Sequence, residues 1–190
     1  MKLFIIILIM IAFPGFAMCQ QGRGIQKIFP HEAIVQFAGN AGLGAAGIGY
    51  ETNNKKLSGA VLYGLVPKNV SSVSIHSITA KVTWQPLQFV SRKISVNYLN
   101  LGIYGNYVFG KQYFSFVPEF YPYRYYGFPS AINTGLFVGQ SIDKNRFSLY
   151  YEIGSTGKEL ISYLGNMRSV EIIDILALGV GVKYDLQIQK

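Results

Sequence analysis

Few residues of this chain are equipped for chemistry. Its 190 residues include nine carboxylates, two histidines and one cysteine. The one arrangement with hydrolytic character is Ser74 and His76, two apart in Val73-Ser74-Ile75-His76. On an extended strand that spacing puts both side chains on one face. The imidazole would take the serine proton during attack on an acyl carbon, and a carboxylate would orient the ring. Glu152 and Asp174 are the candidate carboxylates, although strand alternation turns Glu152 to the other side of the wall from His76. A metal centre is not expected. His31, His76 and the single Cys19 supply too few ligands for a transition-metal site. Gly42-Leu43-Gly44-Ala45-Ala46-Gly47 spells GxGxxG, but no helix follows to hold a phosphate, so no cofactor is expected.

A second group of residues is suited to binding. Residues 113–129 read YFSFVPEFYPYRYYGFP, in which nine of seventeen are Tyr or Phe. Tyrosine joins apolar area to a polar tip and is common at binding surfaces. Pro118, Pro122 and Pro129 would restrict the backbone and lower the entropy lost on binding. Tyr121, Tyr123, Arg124, Tyr125 and Tyr126 are the candidate binding residues, with Arg124 able to stack on a ring or meet a phosphate or carboxylate. A lid packed over a barrel mouth is the structural alternative.

Composition limits the elements that can position these groups. Half of the chain is apolar and only 14% is charged, with 21 glycines. Soluble domains carry about a quarter charged residues, and disordered chains are apolar-poor. Helical membrane spans need apolar runs of about 18 or more. The longest run, Leu3–Phe13, is shorter and follows Met1-Lys2. With Pro14, Gly15 and Ala17-Met18-Cys19 behind it, it has the form of a secretory signal cleaved after Cys19. Acylation of Cys19 is the rival. The expected organisation is a signal peptide over 1–19, a lead-in over 20–31 and one β domain over 32–190.

Within that domain the polarity alternates with period two. Leu176, Leu178, Val180, Val182, Tyr184, Leu186 and Ile188 share a face, opposite Ala177, Gly179, Gly181, Lys183, Asp185 and Gln187. The same pattern predicts strands over 32–39, 43–52, 56–66, 73–89, 94–109, 130–141, 145–155 and 173–188. The fold class expected is an all-β, eight-stranded antiparallel up-and-down barrel that spans a membrane with its apolar face to lipid. Short links, 52–55, 90–93 and 142–144, fall at the end bearing both termini; at the other end 110–129 and 156–172 are long, while 40–42 and 67–72 are shorter. An eight-stranded barrel is just wide enough for side chains to fill it. Lys81 and Glu152 are the charges placed near the middle of the lumen. A charge there must be paired or hydrated, so Lys81 is expected to pair with Glu152 or with another inward carboxylate such as Glu51.

The sequence resembles the small eight-stranded outer-membrane barrels of the OmpA/OmpX-like kind, particularly those of the Bacteroidota. Gly39-Asn40-Ala41-Gly42-Leu43, then Gly49-Tyr50-Glu51, and the final alternating strand carry the resemblance. It implies the cell outer membrane with both termini in the periplasm. It also implies contact with outer-membrane lipid and lipopolysaccharide, other envelope proteins as further partners, and no role for nucleic acid. The chain ends without the terminal aromatic common in such proteins, Tyr184 being its last. A non-enzymatic structural or accessory role is expected. Acyl hydrolysis of lipid A is the alternative, though Ser74-x-His76 reverses the His-x-Ser order of the deacylase barrels. A narrow channel is the third reading. The net charge of +8 is expected to gather at the rim bearing the termini, near Lys55, Lys56, Lys144, Arg146 and Lys183.

Overall fold

A computed structural model describes residues 29–91, 94–114, 129–166 and 171–187. The segment 1–28, which holds the expected signal and most of the lead-in, lies outside the described residues. Eight strands follow in order: β1 (Glu32–Ala38), β2 (Gly44–Glu51), β3 (Leu57–Val66), β4 (Ile75–Ser91), β5 (Ile94–Phe109), β6 (Ile132–Lys144), β7 (Phe147–Thr156) and β8 (Ala177–Asp185). Each pairs antiparallel with its sequence neighbour, and β1 pairs with β8, so the sheet closes into a barrel. Closure leaves no sheet edge unpaired.

Period-two alternation is what turns this sequence into a wall. Along β5, Asn100, Tyr104 and Asn106 are buried in the lumen, while Leu101, Ile103, Tyr107 and Phe109 face outward. Along β7, Tyr150, Glu152 and Gly154 point inward and Phe147, Leu149 and Tyr151 outward. The outer surface is therefore a belt of exposed apolar side chains, such as Val35, Val61, Leu136 and Leu178. The register slips where β5 meets β6, between Asn97 and Asn100. Such a bulge re-aims side chains, and both asparagines, three apart, end up buried.

The links match the expected asymmetry. Lys144 pairs with Phe147, leaving Asn145-Arg146 as a two-residue hairpin turn, with Asn145 at φ 57°. Asparagine tolerates that left-handed conformation better than most residues. The final strand is a correction. It was expected over 173–188 but occupies Ala177–Asp185. A 3-10 turn over Ile172–Ile175 precedes it, in which the Asp174 amide bonds the Glu171 carbonyl. Those local bonds replace ladder bonds and turn Ile175 into the interior. The long link before it carries helix α1 (Gly157–Gly165). Thr156 and Glu159 close a capping box at its start, which satisfies amide donors that the first helical turn leaves free. Lys158 ties this helix to the barrel through the Pro129 carbonyl at 2.6 Å and Asn133 Oδ1 at 2.9 Å. Lost hydration holds its ammonium below the usual lysine range.

The loop end is stopped from within. The tight link Gly39–Ala41 folds into the barrel mouth, where Ala41 is buried. Ser77 Oγ donates to the Ala41 carbonyl at 3.1 Å, and Asn106 Nδ2 reaches the Asn40 carbonyl at 3.4 Å. Gly39 and Gly42 adopt positive φ, which lets the chain reverse so tightly. On the facing wall, a Cβ on Gly64 would overlap the Ala41 carbonyl oxygen. Gly64→Val is therefore expected to displace this turn and to cost about 1–3 kcal/mol, the usual range for overpacking. Denaturant unfolding in lipid vesicles measures it.

Candidate functional site

The groups placed by sequence at the lumen centre meet there. Lys81 arrives from β4 and Glu152 from β7, across the barrel from each other in strand order. Lys81 Nζ lies 2.5 Å from Glu152 Oε1 and 2.6 Å from Oε2. The two side chains retain only 7% and 6% of their exposure. The third ammonium proton goes to Gln36 Oε1 at 2.9 Å, so all three lysine donors are used.

Gln36 completes the network and was not anticipated. Its Oε1 accepts from Lys81 and from Tyr150 Oη at 3.0 Å. Its Nε2 donates to Glu152 Oε1 at 2.9 Å and to the Ala38 carbonyl at 3.1 Å. All four hydrogen-bonding valences of the amide are thus filled, and only one amide orientation fills them. A flipped amide would aim its NH2 at the lysine ammonium. The Lys81 ammonium also lies 4.9 Å from the centre of the Phe137 ring, within cation–π range. One signal for Gln36 was present in the sequence: it is the lone polar residue between Val35 and Phe37, in a strand whose register was obscured by small side chains.

What this arrangement does chemically follows from desolvation. Burying two charges is expensive, and their attraction offsets that cost only when geometry is good and other polar atoms are satisfied. Both conditions hold here. Every proton of Lys81 is occupied and Glu152 accepts three bonds, so neither group is poised to exchange a proton with a substrate. Above the network lies a polar layer in which Asn106 Nδ2 donates to Thr79 Oγ1 at 2.7 Å, and above that the inserted turn Gly39–Ala41.

Ser74, His76 and a carboxylate do not converge. His76 lies on the outer side of the wall, where its Nδ1 is 2.7 Å from the Tyr63 hydroxyl and its ring packs against that of Tyr63. Glu152 is bonded to Lys81 inside. Asp174 is exposed in the 3-10 turn before β8. His31, expected at the rim, lies there and exchanges contacts with the Glu51 backbone, its Nδ1 being 2.8 Å from the carbonyl. Tyr121, Tyr123, Arg124, Tyr125 and Tyr126 lie outside the described residues. Glu51 pairs with Lys55 at 3.9 Å rather than with Lys81.

Comparison with protein-family models, with curated proteins and with solved structures finds no match to this chain. The functional reading therefore stands on the barrel's own surface and interior.

Proposed function

We propose that this protein is a non-enzymatic outer-membrane β-barrel of the OmpA/OmpX-like kind. Its role is structural or accessory in the cell envelope, alone or as a component of a membrane complex. Its termini lie in the periplasm and its lumen is closed. The observation that carries this reading is the inversion of polarity across the wall. Apolar side chains cover the outside of a closed barrel, while Gln36, Thr79, Lys81, Asn97, Asn106 and Glu152 are buried within. A soluble ligand-binding barrel has the opposite arrangement, with its apolar face inside. Lipid is the solvent in which an outward apolar belt is stable, because alternating strands leave it no other place to hide.

The closed lumen supports a structural rather than a conducting role. Three successive obstacles lie along it: the Lys81–Glu152–Gln36 network, the Asn106–Thr79 layer and the inserted Gly39–Ala41 turn. The aromatic segment 113–129, which begins at the loop end after β5, is the proposed contact surface for lipopolysaccharide or another envelope protein. Reconstitution of the purified protein into planar bilayers tests the closed lumen. The expected record is flat, without unitary steps. Reproducible unitary steps from the unaltered protein would require an open path and would overturn it.

A further inference from the structure

We propose that the cavity at the termini end of the barrel is a binding site for a small soluble primary amine. The cavity has a volume of about 220 Å³ and is lined by the ends of the strands and by the short turns between them. Four carboxylates reach it: Glu32 from β1, Glu51 from β2, Asp143 from β6 and Asp185 from β8.

Two of its acceptors lack a donor. Gln85 is 4% exposed, and its Oε1 has no hydrogen-bond partner among the described residues. Glu32 Oε2 is in the same state. The Lys183 ammonium lies 3.1 Å from it without the alignment of a hydrogen bond. A buried acceptor left without a donor is costly, so this site calls for N–H or O–H groups from beyond the described residues.

The rim as a whole is basic, but Lys56 and Lys144 do not line the cavity, and within its lining four carboxylates meet three cations, Lys55, Arg146 and Lys183, which leaves room for one more positive charge. Lys183 is committed to Glu32, and Lys55 lies 3.9 Å from Glu51. Arg146 donates to the Tyr184 hydroxyl at 3.4 Å. No cation among the described residues lies within ion-pair distance of Asp143 or Asp185. Asp143 accepts from Asn97 and Ser148, and Asp185 from the Gln187 amide. Among the described residues no group of three acidic or histidine side chains is arranged to hold a metal ion. A primary ammonium meets both demands at once, since it brings a positive charge and three donors in one compact head.

The depth of the site limits the size of the ligand. Beyond Gln85 only about 30 Å³ remains before the Lys81–Glu152 pair. That is room for a water molecule, and the Lys81 ammonium repels a second cation. The ligand therefore lies in the outer cavity with its ammonium toward Gln85. The entrance is among the rim turns, which favours a soluble amine over a lipid headgroup on the barrel wall.

Calorimetric titration of the detergent-solubilised barrel with 1,4-diaminobutane tests the proposal. Saturable one-site binding is expected, and the bis-trimethylammonium analogue, which has the charges without donors, should not compete. Gln85→Leu should weaken binding about tenfold, the effect of losing one charge-assisted hydrogen bond. Asp185→Asn, at the end of β8, keeps an oxygen for the Gln187 amide; it should weaken binding several-fold and serves if Gln85→Leu does not fold. Titrations that fail to saturate, equal binding of the quaternary analogue, or unchanged affinity in the folded variants would each overturn it.

Discussion

Lys81→Met is expected to destabilise the barrel by about 3–5 kcal/mol, the usual cost of removing one partner from a buried ion pair. The loss is not that of a simple contact. Glu152 would keep its charge in the lumen with Gln36 Nε2 as its one remaining donor from this network. Gln36 Oε1 would lose one of its two donors at the same time. Glu152→Gln is expected to cost a similar amount by leaving the ammonium without a counter-charge. Joint replacement, Lys81→Met with Glu152→Leu, should recover most of the stability, because no uncompensated charge then remains. Urea unfolding in detergent or lipid vesicles reads all three variants, with Trp84 as the single tryptophan and an outward-facing reporter. Single variants within 0.5 kcal/mol of the unaltered protein, the range of ordinary surface changes, would mean that the pair is hydrated and contributes little.

Ile103→Arg is expected to cost about 2–4 kcal/mol, the penalty for a basic side chain on the lipid face near the bilayer middle. Ile103 lies near the centre of β5, is 58% exposed, and pairs with the outward residues Val82 and Leu136. Among the described residues nothing buries it. In water the same substitution would be close to neutral or would improve solubility. The sign and size of the change therefore report the solvent on that face. Ser72→Arg, exposed in the link between β3 and β4, is the matched control and should change stability by less than about 0.5 kcal/mol. Equilibrium unfolding from lipid vesicles measures both.

The strands were legible in the sequence because period-two alternation survives in the residue types themselves. β5 occupies the predicted span, and the inward positions of Lys81 and Glu152 follow from counting along their strands. Where small residues occupy both faces, counting loses its grip. Val35 and Phe37 are outward and Gln36 inward, yet the alanines and glycines around them hid which face was which. The helix α1 left a signal in Thr156-Gly-Lys-Glu159 that a capping-box reading would have caught. The inserted turn Gly39–Ala41 left none of this kind. A glycine-rich link is short in any hairpin, and its entry into the lumen depends on the space left by Gly64 on a different strand. The amine cavity is hidden for the same reason. It is assembled from strand ends that are far apart in the chain, and adjacency around a barrel mouth is a property of closure.

The central claim is that the apolar belt meets lipid in the outer membrane. Fractionation of the producing cell tests it most directly, with the membranes separated by density and then washed in sodium carbonate. The protein is expected in the outer-membrane fraction, resistant to the wash, and faster on a gel before boiling than after, as an intact barrel migrates. Recovery in the soluble periplasmic fraction, or release by carbonate, would contradict the account.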